Sequence, residues 1–218
     1  MRTKILILTL FLAAGTARAQ SWSDLPDWSG DWVVEQPAKA DPPPSYKPGW
    51  SAKPAAEDPF RTCGLPAGAP RMMGLPGVHE FVVRPGEVWH AVETGNTVQR
   101  IYTDGRGHPD GDTLFATYTG DNVGHWEGQG AGRTLVIDTV GLRDDTWLDA
   151  KGHAHSDQTH VTTRLSKVGA ELVAKITIED PVAFTRPWTL TRHYRRLPAG
   201  SFVHDWACRI VKSPAEVN

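Results

Sequence analysis

The chain reads as an all-β protein: an antiparallel meander that closes into a lipocalin-like barrel or folds into a sandwich, preceded by a Pro-rich extended segment. Three observations predict this. From Val78 onward, short runs rich in Val, Ile, Thr and aromatics recur, broken by turn signals such as Pro85-Gly86, Gly95-Asn96, Asp104-Gly105 and Asp110-Gly111. No stretch sustains the period of an amphipathic helix. Many evenly spaced strands without intervening helices argue for a barrel or a sandwich, and the barrel is preferred because closure removes exposed strand edges.

The elements follow in order. Arg2 and Lys4 precede an apolar run, Ile5 to Ala14, of roughly 10 residues, the length of a signal-peptide core and too short to span a bilayer. Ala17, Arg18 and Ala19 give the small-x-small cleavage pattern, so 1–19 is expected to be removed and Gln20 to become the amino terminus. The mature chain is then exported, to a periplasm or the medium. No later apolar run is long enough to span a membrane, so stable membrane insertion is not expected. Residues 20–62 hold a first strand, from Asp27 to Val34, and a Pro-, Ala- and Lys-rich stretch from Gln36 to Arg61 that includes Pro42, Pro43 and Pro44. Proline lacks the ladder donor, so this stretch is expected to wrap the surface in extended form. The barrel domain occupies 63–218, with strands expected near 78–84, 87–93, 97–103, 113–119, 122–127, 133–139, 158–167, 171–179, 187–195 and 202–208.

Composition sets the bounds. The 17 Pro and 21 Gly are too scattered for collagen or simple disorder, and about 200 mature residues suit one large β domain. With net charge -2 and dispersed basic residues, the chain lacks the positive stripe that nucleic acid or an anionic membrane requires. Cys63 and Cys208 are the only cysteines; in an oxidising compartment such a distant pair is expected to form a disulfide.

Side chains two apart on a strand share a side, so Arg100 points with Tyr102, His125 with Glu127, and His160 with Thr162 and Arg164. Either this face is wet, as in ordinary antiparallel sheets, or it lines a polar cavity inside the barrel. Two loops add ionisable groups: 104–109, with His108, and 143–157, with Asp144, Asp145, Trp147, Asp149, His153, His155 and Asp157. His153, His155, Asp157 and His160 also invite a metal reading, as in a metal-dependent hydrolase. Their spacing is similar to the HxHxDH run of metallo-β-lactamase-like hydrolases, but Gln158 replaces the histidine after the Asp, and the cupin motifs fit no better. A base or a hydrogen-bonding histidine suits the run better, and no metal or organic cofactor is expected. Gly124 to Gly130 resembles the GxWxGxG of nitrobindin-type haem barrels, though here it lies mid-chain.

A broader resemblance spans most of the mature chain: Cys63 to Arg71 (CGLPAGAPR), Arg100 to Pro109 (RIYTDGRGHP), Gly124 to Gly128 (GHWEG), Thr134 to Gly141 (TLVIDTVG), Asp145 to Asp149 (DTWLD), His155-Ser156, His160-Val161, Asp180-Pro181 and Pro187-Trp188-Thr189. Together they resemble a large family of exported bacterial proteins, mostly of unknown function, some relatives of which act on lignin-derived phenylcoumaran dimers. The resemblance implies a cofactor-independent lyase that removes a one-carbon unit, by decarboxylation or deformylation, to leave a stilbene. Where the family carries an acidic residue and Asn after the last cysteine, this chain has Arg209, Ile210 and Val211. For such a reaction the candidate bases are His125, His155 and His160, the candidate cations Arg71 and Arg100, the aromatic walls Trp126 and Trp147, and the proton relays Tyr102 and Asp145. The rival is a non-catalytic, lipocalin-like barrel that holds an apolar or aromatic ligand; either way the partner is a small aromatic molecule.

Overall fold

The computed structural model describes residues 20–35, 41–54, 57, 58, 60, 61, 63 and 65–207, less the side chain of residue 131. The leader assigned to 1–19 and the terminal contacts after Cys208 lie outside the described residues. Cys63 holds no free thiol, and its expected partner Cys208 is also outside them.

Nine strands form a closed barrel: β1 (Gly30–Val34), β2 (Val78–Arg84), β3 (Glu87–Val92), β4 (Thr97–Tyr102), β5 (Asp121–Glu127), β6 (Thr134–Val140), β7 (His160–Val168), β8 (Glu171–Glu179) and β9 (Trp188–Arg196), with β9 returning to β1. Each neighbouring pair is antiparallel except β4 and β5, which run parallel through a single partnership, Tyr102 with Val123. This departs from a purely antiparallel meander for a reason of parity. Nine strands cannot alternate direction all the way round a closed ring, so one junction must be parallel. At that junction Gly124 faces β4, where a Cβ would come within 2.9 Å of Ile101 Cγ2. The absence of a side chain lets the two strands close.

Alternation then sorts the residues. Trp32, Phe81, Val88, Ile101, Leu135, Leu165, Leu172, Ile176 and Tyr194 turn inward and are almost wholly buried, so side chains from around the ring fill the barrel. Burying a side chain of this size contributes about 1.5–3 kcal/mol. A chain of polar groups crosses this core. His79 Nε2 donates to Leu75 O (2.9 Å) and His90 Nε2 donates to His79 Nδ1 (2.9 Å), while Gln99 and Thr139 both donate to Asn122 Oδ1 at 2.6 and 2.7 Å. The short helical turn Arg71–Gly74 closes one end, held where Tyr194 donates to Met73 O (2.6 Å).

Two expected strands are absent, and closure explains both. Residues 114–119 follow a helical turn, Gly111–Thr113, and form no strand, only an isolated bridge between Thr117 and Leu142, just past β6. They belong to the crossover that a parallel junction needs. Residues 202–207 are not in a strand, because β9 already pairs with β1 and leaves no edge to extend. They are pinned instead by His204 on Glu93 (2.7 Å) and by the Trp206 amide on Asn96 Oδ1 (3.2 Å).

The described part of the Pro-rich segment crosses the loops after β6 and β8. The Lys47 amide donates to Ala183 O and Thr185 to Ser45 O (2.8 Å each), and Trp188 Nε1 donates to Pro42 O (2.6 Å). Asp180 ties those loops together, accepting from Ser156, Thr159, Val182 and Ala183. Burial alone would raise its pKa, but these donors hold it below the usual carboxylate value. Among the described residues no helix is long and apolar enough to cross a membrane.

Candidate acid-base site on the outer wall

Register aligns the outward positions of β4 to β8. Tyr102 partners Val123, Val123 partners Asp138, Asp138 partners Thr162, and Thr162 partners Thr177; two residues further along β7, His160 partners Glu179. Asp138 lies between the buried Ile137 and Thr139, so the strand's alternation turns its carboxylate to the outside. The interior being filled, the crossover of residues 103–120 returns along the outside and sets His108 against this wall.

Five side chains meet there in sequence. His108 Nδ1 donates to Asp121 Oδ1 at 2.5 Å, and its Nε2 lies 3.8 Å from Asp138 Oδ2. The other Asp138 oxygen accepts a close hydrogen bond from His160 Nε2, and His160 Nδ1 lies 3.6 Å from Glu179 Oε2. The order is therefore Asp121, His108, Asp138, His160, Glu179. His160 and Asp138 are 37% and 45% exposed, open enough to meet a ligand, whereas His108 Nε2 is buried without a hydrogen-bond partner among the described residues. At the edge of the site the Tyr102 ring has the Arg106 guanidinium 3.8 Å and the Arg100 guanidinium 4.7 Å from its centre.

Two imidazoles flanking one carboxylate form an acid-base arrangement. A carboxylate that accepts from one ring nitrogen fixes the tautomer, leaves the other nitrogen free to take a proton and stabilises the imidazolium that results.

The expected polar face is real, but it is not a cavity lining. Arg100, Tyr102, His125, Glu127, His160, Thr162 and Arg164 do share a side, and that side is the outside; the inward partners are Gln99, Ile101, Asn122, Gly124, Trp126, Val161 and Thr163. Of the expected site residues, the structure brings only His160 and Tyr102 to this site. His125 stands further along β5, 3.4 Å from Glu127, which Arg164 clasps at 2.5 Å and so holds below its ordinary pKa. Arg100 is bound to Glu87 at 2.6 Å. Arg71 is buried at the closed end, gripping Asp58 with two 2.7 Å bonds. Trp126 turns inward, 5.0 Å from Trp28 in an edge-on contact, and Trp147 is buried in the loop after β6. Asp145 pairs with Arg143 at 2.5 Å, which lowers its pKa.

The four residues of the metal reading do not gather. His153 Nδ1 donates to Asp149 (2.8 Å), and His155 is enclosed by Ser156 O, Thr159 and Thr146, its pKa lowered by burial. Asp157 is exposed, and His160 faces Asp138 and Glu179. Among the described residues no group of three His, Cys, Asp or Glu is placed to hold a metal ion.

Sequence reasoning left out Asp121, Asp138, Glu179 and the role of His108. Asp138 carried a signal: one acidic residue within Leu135 to Val140 marks the strand's solvent side. The pairing of β6 with β7 that sets it beside His160 carries none. No family model, no curated protein and no solved structure matches the chain.

Proposed function

We propose that the protein is a cofactor-independent carbon-carbon lyase for a phenolic aromatic dimer, with its proton-transfer site on the outer wall at His108, Asp138 and His160. The observation that carries this reading is the carboxylate of Asp138 between two imidazoles, one of them open to solvent. Asp138 holds the proton of His160 on Nε2, so Nδ1 presents its lone pair. A phenol brought to Nδ1 gives up its proton there, and Asp138 stabilises the imidazolium. The phenoxide electrons break the dihydrofuran carbon-oxygen bond to give a quinone methide, and the oxygen released on the other ring takes the proton from the imidazolium to become a second phenol. The quinone methide then takes up the electrons of the carbon-carbon bond that breaks as the one-carbon unit departs. The unit leaves as carbon dioxide from a carboxylate or, once a base has taken the hydroxyl proton, as formaldehyde from a primary alcohol. Its loss restores the first phenoxide and forms the stilbene double bond. The aromatic rings store and return the electrons throughout, so the chemistry asks the protein for proton transfer alone. Asp121 orients His108, which is available as a second proton carrier.

The phenolic substrate class comes from the sequence resemblance, and the site supports it by offering an imidazole base held by a carboxylate. A closed barrel is also compatible with a passive binding protein, but an interior filled by side chains gives such a ligand no lumen. The test follows stilbene absorbance with phenylcoumaran-type substrates. His160→Ala should lower kcat by roughly a hundredfold to ten-thousandfold while the protein stays folded, and Asp138→Asn should do similar harm through the lost orientation. Should the folded variants match wild type, or should wild type bind these compounds without converting any, the lyase reading fails, and in the second case the binding reading replaces it.

A further inference from the structure

Building on the proposed function, we infer that the outer-wall site selects uncharged, hydroxyl-bearing phenolic ligands and turns away carboxylates. The argument rests on where charge is placed and where it is already spent. Asp121, Asp138 and Glu179 bring three carboxylates to the two imidazoles of His108 and His160. The guanidiniums around them are each already paired with a carboxylate of their own. Arg106 clasps Asp104 at 2.5 Å, Arg100 clasps Glu87 at 2.6 Å, Arg164 clasps Glu127 at 2.5 Å and Arg143 clasps Asp145 at 2.5 Å. Arg106 and Arg100 are further occupied against the Tyr102 ring, and Arg143 lies 5.0 Å from the centre of the Tyr118 ring. Lys175 is exposed, but its strand partner is Arg164, so it stands two residues along from Thr177 and Thr162, about 7 Å from the level of Asp138.

A ligand carboxylate at His160 Nδ1 would therefore lie beside Glu179 and Asp138. Among the described residues no guanidinium lies within ion-pair distance of either carboxylate, and the neighbouring ones are already paired. Like charges at that separation repel well inside the screening length of physiological salt. An uncharged phenol or alcohol meets no such field. It also supplies what the wall lacks, because ionised carboxylates only accept hydrogen bonds and the ligand must bring the donors. Glu179, exposed at the end of β8, is the specificity-determining residue, since it faces the nitrogen of His160 that Asp138 leaves free.

The experiment measures the binding of a phenylcoumaran carboxylic acid, its primary alcohol and its methyl ester to the full chain, at low and at high salt, and follows conversion of the acid and the alcohol. The alcohol and the ester should bind at least roughly tenfold more tightly than the acid at low salt. That gap should narrow as salt screens the carboxylates, and Glu179→Gln should narrow it at low salt. An acid bound as well as its alcohol at low salt overturns the inference and leaves the lyase reading standing. A gap that neither salt nor Glu179→Gln alters also overturns it, because the discrimination is then steric. If neither acid nor alcohol reacts or binds, the functional reading falls and the inference falls with it.

Discussion

Acid should loosen the barrel from inside before it affects the carboxylates. His79 and His90 lie in the core at 0% and 1% exposure, stacked with ring centres 5.2 Å apart, with Phe81 4.3 Å beyond His90. Burial lowers the pKa of His79 from 6.5 to about 4, the Leu75 carbonyl offsetting only part of it. Burial, with the neighbouring His79, lowers that of His90 well below 6.5. Both are therefore neutral in the folded protein and charged in the unfolded chain below about pH 6.5. Between pH 6.5 and 4 the unfolded state binds more protons, so stability that is fully present above pH 6.5 is lost as pH falls through this window. A shift of 2.5 for His79, from 6.5 to 4, corresponds to about 3 kcal/mol at 1.36 kcal/mol per unit, and His90 acts in the same direction. Against a total of about 5–15 kcal/mol for an ordinary domain this is a large fraction. The assay is urea unfolding at intervals from pH 7.5 to 4.5, on wild type and on a His79→Gln, His90→Gln double variant. Wild type should lose stability steadily across that range. The double variant, weaker at pH 7.5, should lose much less, the remainder including His155, whose pKa burial also lowers. A wild-type urea midpoint that stays level from pH 7 to 4.5, or a double variant that falls as steeply, would refute the reasoning.

Arg71→Ala should cost about 3–5 kcal/mol in chemical unfolding, because it removes the guanidinium that neutralises the wholly buried Asp58 carboxylate; a loss below about 1 kcal/mol would mean that the Arg71 charge is not what holds Asp58. Intact mass of the exported protein should begin at Gln20, and neither Cys63 nor Cys208 should react with a thiol reagent without reductant; quantitative labelling of both would rule out the disulfide.

The strands were readable where one face is cleanly apolar. In β8, Leu172, Ala174, Ile176 and Ile178 alternate with polar residues and Val173, and in β9 Trp188, Leu190 and Tyr194 do the same. The candidate site was half readable. Alternation says which residues share a face, and it grouped Arg100 with Tyr102 and His160 with Thr162 and Arg164 correctly. It does not say which face is inside. In β4 and β5 the choice was ambiguous because the core itself holds Thr97, Gln99 and Asn122, so neither face of these strands is purely apolar. Segments 113–119 and 202–207 have strand composition, yet a strand needs a partner, and a ring closed by β9 on β1 offers none. Ion pairs such as Arg71 with Asp58 depend on tertiary placement that no local pattern encodes.

The site and the parity of the barrel are one problem. An even number of strands would let a tight turn join β4 to β5 in antiparallel fashion, and no chain would then lie along the outer wall. With nine, β4 and β5 must run the same way, and the connection has to travel back outside a filled core. That return carries His108 to Asp121 and to within 3.8 Å of Asp138, where β6 and β7 have already set Asp138 against His160. The same junction is held on the outside by one strand partnership and on the inside by Gln99 donating to Asn122, a polar contact where its neighbours have apolar packing. Both imidazoles therefore stand on the β5–β7 side of that parallel junction: His160 on the antiparallel wall, and His108 on the returning strap, held to β5 and β6.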